Sequence, residues 1–138
     1  GADFLTTQMF FDNQYYWEFV NKAEQKGIRC RIIPGIIPIT NYKNIRKFAR
    51  KIGASIPEGI ANKMEPYLDK PNEVYKVGLD LAIEQCRDLL DNGAPGIHFY
   101  TLNKSRAAVD LYENLSKDFK EVKSRFEKSF TPHIPGNT

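Results

Sequence analysis

Three short apolar stretches, Asp3–Phe10, Arg29–Pro34 and Ile97–Thr101, each run almost directly into a sequence that starts a helix. That alternation constrains the fold more than any other feature. Strands alternating with helices build a parallel sheet with right-handed crossovers. In the first stretch Phe4, Thr6 and Gln8 share one face, while Leu5, Thr7 and Met9 share the other. Both sets are largely apolar, which predicts a strand covered on both sides. In the second, Pro34 has no amide hydrogen, so ladder pairing is expected to stop near it. In the third, His98, Tyr100 and Leu102 alternate with Ile97, Phe99 and Thr101.

The helices between them carry start and stop signals. Asp12 suits an N-cap, with Phe11 and Tyr16 spaced as a hydrophobic staple, and Gly27 stands past the last turn near Lys26. Thr40 or Asn41 caps a helix whose Ile45, Phe48, Ala49 and Ile52 have helical spacing, closed by Gly53. Ser55-Ile-Pro-Glu58 has capping-box spacing and opens a shorter helix carrying Ile60, Met64, Tyr67 and Leu68. A long helix is predicted over Asn72–Asp91. Its buried stripe is Tyr75, Leu79, Ala82, Ile83, Cys86, Leu89 and Leu90, and Asn92-Gly93 ends it. Asn103 is placed to cap a last helix, continuous to about Ser129 or broken near Ser116, before a loose tail over 131–138.

The chain has 138 residues, room for one domain. Its 20 basic and 17 acidic side chains form no long basic run, so nucleic acid is not implied. Glu121–Lys128 reads as a solvated helix face. Cys30 and Cys86 read as buried free thiols in a reducing, cytoplasmic compartment. No apolar run approaches the roughly 20 residues that cross a membrane, and no signal peptide is seen.

The first residue is Gly, and a strand begins at once. Three strands also fall short of the eight that close a barrel and the five or six usual in a doubly wound sheet. Both observations predict a chain that continues upstream, or one whose exposed strand edges pair with another chain. The expected fold is therefore α/β: three parallel strands with covering helices, as part of a (β/α)8 TIM barrel.

In parallel architectures the site lies at the carboxyl ends of the strands. Gln8, the 34–44 loop and the 100–104 segment meet there. Gln8 offers an amide that donates and accepts together, suited to a heterocycle edge. As a strand-end polar group it has an equally simple structural role. Tyr42, Phe48 and Tyr100 can stack on an aromatic ligand, although helical spacing places Phe48 in the core. His98 has no second His and no carboxylate pair beside it, which favours a packed histidine, and His133 falls in the tail. Metal-ligand spacing, G-x-G-x-x-G and the P-loop are all missing from the sequence. The residues alone predict an aromatic or amide-bearing ligand and supply no catalytic acid.

Three motifs make the pattern specific. Thr7-Gln-Met-Phe-Phe-Asp12, Ile32-Ile-Pro-Gly-Ile-Ile-Pro38 and His98-Phe-Tyr-Thr-Leu-Asn103 resemble, in order and spacing, the last three strands of the methylenetetrahydrofolate reductase family. Ser55-Ile-Pro57 and the long helix also fit, and the likeness covers about residues 1–115. The resemblance implies a (β/α)8 barrel that binds FAD. It implies hydride transfer from NADH or NADPH, through the flavin, to 5,10-methylenetetrahydrofolate, giving 5-methyltetrahydrofolate. By position, Gln8, Asn44, Phe48, Tyr100, Leu102 and Lys104 are the implied substrate contacts, and Thr6 and Gln8 the implied cofactor contacts. Lys104 stands where the family commonly has Arg, which keeps the charge and loses the bidentate fork. Asn44 stands where a longer Gln often contacts folate.

The general acid of the family lies on an earlier strand, so the resemblance implies that this chain alone neither holds FAD tightly nor turns over. The boundaries expected are barrel part over 1–116, helical extension over 117–130 and tail over 131–138. The partners expected are folate and a nicotinamide nucleotide or electron-donor protein, with homo-oligomer formation or association with the missing barrel part. The alternative is a non-catalytic partial-barrel module that acts by association through its strand edges.

Overall fold

The computed structural model describes residues 2–102 and 106–117. Asn103, Lys104, Glu121–Lys128, His133, the expected helical extension beyond residue 117 and the 131–138 tail lie outside the described residues. The order of elements is β1 (Phe4–Met9), α1 (Asn13–Gln25), β2 (Arg31–Ile36), α2 (Tyr42–Ile52), α3 (Glu58–Met64), a 3-10 turn at Glu65–Tyr67, α4 (Pro71–Asp91) and β3 (His98–Phe99). Residues 106–117 are helical and are called α5. The strands form one parallel sheet in the order β1-β2-β3. This is an α/β arrangement that fits part of a (β/α)8 barrel.

Several helix signals act as the sequence predicts. Asp12 accepts the Gln14 amide at 2.9 Å and starts α1. Asn41, rather than Thr40, accepts the Asn44 amide at 3.0 Å and starts α2. Gly27, Gly53 and Gly93 follow α1, α2 and α4 with φ between 75° and 97°, the left-handed region that a Cβ disfavours. The exposed stripe of α4 carries Glu73, Lys76, Asp80, Glu84, Arg87 and Asp91. Its buried stripe runs Val74, Gly78, Ala82, Ile83, Cys86, Leu89 and Leu90, with Tyr75 and Leu79 half-buried. Gly78 is required by contact: a Cβ there would collide with the backbone of Ile39.

Other signals are overruled. The Ser55 box does not form; Pro57 stands at the start of α3 with no side-chain cap. The staple changes partner. Phe10, not Phe11, stacks on Tyr16 at 5.9 Å, because Phe10 and Phe11 point into different cores. One core joins Phe10, Tyr16, Ile32 and Ile36 to α4 and α5. The other joins Phe11, Ile37, Ile39 and Ile45 to Met64 of α3 and Val74 of α4. Cys86 is fully buried in the first core; Cys30 is only half-buried and precedes β2 rather than lying in it.

The ladder does not stop at Pro34. β2 is the central strand and runs through Pro34 to Ile36. The adjustment is made in β1. Thr6 pairs with Ile33, but Met9 pairs with Gly35, so three residues of β1 match two of β2. A bulge opposite a residue that cannot donate keeps both strands in the sheet. It also breaks the expected alternation: register puts Met9 beside Gly35 on the face that carries Thr6 and Ile33.

That face is open. Phe4 is 57% exposed, Thr6 and His98 are exposed, and Ile33 is half-buried. The expectation of a first strand covered on both sides is therefore corrected. β1 is an edge strand, and even Leu5, on the covered side, is 38% exposed. β3 is short, His98–Phe99 in place of five residues, although Tyr100 still donates its amide to the Ile36 carbonyl at 2.8 Å.

Candidate functional site

The carboxyl ends of all three strands are tied together by one threonine. The bulge brings Thr7 opposite the amide that follows Pro34. The Gly35 amide donates to Thr7 Oγ1 at 2.9 Å, a side-chain acceptor standing in for the ladder carbonyl. The Tyr100 hydroxyl crosses from the end of β3 and donates to the Thr7 carbonyl at 2.9 Å. Its ring lies over Gly35, where an added Cβ would come within 2.5 Å of the ring and 2.6 Å of the Thr7 carbonyl. The His98 ring meets the Tyr100 ring edge-on at 4.7 Å. Gly35 thus lets an aromatic ring lie flat across the sheet, and the three strand ends are held in fixed relation.

Gln8 sits inside this bulge, exposed. Its Oε1 accepts the Met9 amide at 3.0 Å, satisfying a donor that the bulge removes from the ladder. Its oxygen therefore serves the backbone, and its NH2 takes no part in that bond. Thr6 and Gln8 line a cleft of about 610 Å³ along β1, shared with Tyr15, Phe19 and the Ile52–Ser55 segment.

Asn44, Tyr100 and Leu102 come together in a second, smaller cavity of about 230 Å³. It is completed by Ile37, Pro38, Thr40, Asn41, Ile45, Thr101 and Ala107. Leu102 is half exposed and holds φ at 45°, a left-handed conformation unusual for a bulky side chain. Such strain gathers at ligand sites. The Thr7–Tyr100 hydrogen bond joins the two spaces, since Thr7 lines the cleft and Tyr100 the cavity. Phe48 is half-buried against the second core, as its helical spacing predicts.

Two features were missed in the sequence. Thr7 was grouped by alternation with Leu5 and Met9 and given no part in the site; a Pro-Gly pair in a central strand is the signal for a bulge opposite. The second is a cationic stripe on α2, where Lys43, Arg46, Lys47 and Arg50 recur at helical spacing. It escapes a search for consecutive basic residues because Asn44, Ile45, Phe48 and Ala49 interrupt it.

Among the described residues, no group of His, Cys, Asp and Glu is placed to hold a metal ion, and no helix is long and apolar enough to cross a membrane. The polar groups lining the two spaces include the hydroxyls of Thr6, Thr7, Thr40 and Thr101, the amides of Gln8, Asn41 and Asn44, and the Tyr100 phenol. They can orient a heterocycle by hydrogen bonds and stacking.

Comparison with known proteins bears on the family of the chain. The sequence model of the family described as methylenetetrahydrofolate reductase matches residues 1–116. A relative from Arabidopsis thaliana, methylenetetrahydrofolate reductase (NADH) 1, is 38% identical over 115 residues, 83% of this chain and 19% of the relative. The Caenorhabditis elegans probable methylenetetrahydrofolate reductase (NADPH) is 40% identical over 116 residues, 83% of this chain and 18% of its own length. The 5,10-methylenetetrahydrofolate reductase of Escherichia coli strain K12 is 33% identical over 115 residues, with 39% of its length covered. The chain thus spans about a fifth of the eukaryotic relatives and two fifths of the bacterial one.

Proposed function

The chain belongs to the methylenetetrahydrofolate reductase family, and on that premise we propose that its strand ends form the folate-side part of a flavin-dependent 5,10-methylenetetrahydrofolate reductase. The observation that carries this reading is the tie at Thr7. One residue fixes Gly35, Tyr100 and, through the bulge, Gln8 at the carboxyl ends of three parallel strands. That is where such sheets place ligands.

Each side chain has a part in this reading. The Gln8 NH2 donates to an acceptor on the pterin edge, and to the nicotinamide carboxamide when that ligand takes its turn. Tyr100 and Leu102 form a wall against the folate, with Asn44 at the rim of the cavity. Phe48 supports the aromatic part of either ligand from the core side. Lys104, outside the described residues, is assigned to the acidic tail of folate on sequence position alone.

FAD fits these residues only in part. Thr6 and Gln8 present an exposed hydroxyl and an amide NH2 along an open edge, which suits one side of a flavin ring. Among the described residues no glycine-rich loop stands by to cradle its diphosphate. When bound, FAD supplies hydride transfer between the nicotinamide and the folate methylene carbon. The residues here bind and orient; they supply no acid for the reaction. The isolated 138-residue chain is therefore expected to leave gel filtration without flavin absorbance and to show no reductase turnover. Flavin retained with the protein, or turnover by the chain alone, contradicts this.

A second reading rests on the open edge of β1. Phe4, Tyr15 and Phe19 are each at least half exposed beside it. On this reading the chain is a partial-barrel module that works by association. A chain that self-associates in light scattering but binds no folate favours it over the first.

A further inference from the structure

A row of residues crosses all three strands near their carboxyl ends. Met9 pairs with Gly35, and Gly35 pairs with His98. Gly35 has no side chain, so the row has a gap at its middle. The Tyr100 ring fills that gap: an added Cβ at Gly35 would meet the ring at 2.5 Å. Met9 is buried, and His98, on the β3 side of the gap, is exposed. The His98 ring stands edge-on to the Tyr100 ring, with centroids 4.7 Å apart and 86° between the planes.

Core packing does not account for this histidine. It is exposed, and its ring nitrogens make no hydrogen bond among the described residues. It lines neither the β1 cleft nor the Tyr100 cavity. Its ring contact is with Tyr100. Tyr100 stands one residue past β3, just before the left-handed Leu102, where an aromatic side chain has other staggered rotamers open to it. Three neighbours meet its ring. Gly35 permits the observed pose without favouring it. The hydroxyl bond to the Thr7 carbonyl is only partly buried, and water competes for both of its partners. The edge-on aromatic contact adds a preference of roughly two- to tenfold for the rotamer that makes it.

We propose that His98 is a positioning residue for Tyr100: its ring holds the phenol over Gly35, and so keeps the wall of the Tyr100–Leu102 cavity in the pose that receives a ligand. His98 acts through the tyrosine and touches no substrate itself. The requirement is for an aromatic ring at residue 98, whose flat edge fits beside the Tyr100 ring, and not for an imidazole nitrogen. The effect on ligand affinity rests on the folate reading above; the effect on the Tyr100 ring does not.

Two measurements on the full chain test this: NMR of 13C-labelled tyrosine rings, and calorimetry with 5-methyltetrahydrofolate. The Tyr100 ring resonances are assigned by their loss in Tyr100→Phe. The variants are His98→Ala, His98→Gln, which keeps polarity without a ring, and His98→Phe, which keeps a ring without the nitrogens. In His98→Ala and His98→Gln the Tyr100 resonances are expected to move to the positions of exposed tyrosines, and affinity to fall roughly two- to tenfold. His98→Phe should restore both. Tyr100 resonances that stay in place in His98→Ala overturn the proposal, even if the urea midpoint drops, because the role is then merely structural. Resonances that move with no change in affinity overturn the link to the ligand. A His98→Phe variant as weak as His98→Ala overturns it too, since the imidazole then acts through its own atoms. If the parent chain binds no 5-methyltetrahydrofolate, the folate reading fails and the ring resonances decide alone: movement in His98→Ala with return in His98→Phe keeps the positioning role, and no movement sinks it.

Discussion

Tyr100 concentrates the account at the scale of single residues. Its hydroxyl donates to the Thr7 carbonyl, and its ring occupies the space that Gly35 leaves open. Tyr100→Phe removes one hydrogen bond and should lower stability in urea by about 1 kcal/mol. Gly35→Ala pushes a Cβ against that ring and against backbone, and should cost about 1–3 kcal/mol. A Gly35→Ala variant as stable as the parent would refute the close approach. Tyr16 and Cys86 set a pH dependence. Burial pushes both the Tyr16 phenol and the Cys86 thiol up to about 12. The unfolded chain gives up these protons first, near 9.0 for the thiol and 10.0 for the phenol. Their contribution is thus intact below pH 9 and is lost as pH rises towards about 12. Urea midpoints are expected to fall across that window. Tyr16→Phe, which also loses the bond to the Ile32 carbonyl, should flatten the fall.

Elements were legible in the sequence where a local signal decides them. Asp12, Asn41 and the glycines after α1, α2 and α4 act through neighbours a few residues away, and the chain alone reveals them. Asn41→Ala is expected to cost about 1 kcal/mol of stability, seen as a lower urea midpoint with an unchanged slope. The failures share one cause: each depended on a partner distant in sequence. The bulge in β1 lies opposite Pro34 of β2, so strict alternation misassigned Met9. The Ser55 box lost to packing of α3 against the second core. Phe11 was drawn away from Tyr16 by Ile37 and Ile39. For the site, the strand ends and Gln8 were visible as a motif. The geometry that gives Gln8 its free NH2, the Met9 amide taking its oxygen, was not.

In the molecule as a whole, a two-core α/β unit carries one covered sheet face and one open one. α1 is fastened to α4 by Asn13, which donates to the Gln85 carbonyl and the Asp88 carboxylate, while Gln85 donates to the Phe10 carbonyl. The strand ends therefore rest on a braced scaffold although, among the described residues, β1 has no neighbouring strand on its far side. An open apolar edge favours pairing with another strand, so light scattering of the chain is expected to show association. A monodisperse monomer would count against that expectation.

The central claim is that Gln8, Asn44, Tyr100 and Leu102 face one folate-sized ligand across the Thr7 tie. The direct measurement is a titration of the 138-residue chain with 5-methyltetrahydrofolate, followed by backbone amide NMR shifts. Saturable shifts should centre on Gln8, Asn44 and the Tyr100–Leu102 segment, and weaken in Tyr100→Ala. Saturable shifts centred elsewhere, such as on the Asn13–Asp88 face, or no shifts at millimolar ligand, would contradict the claim.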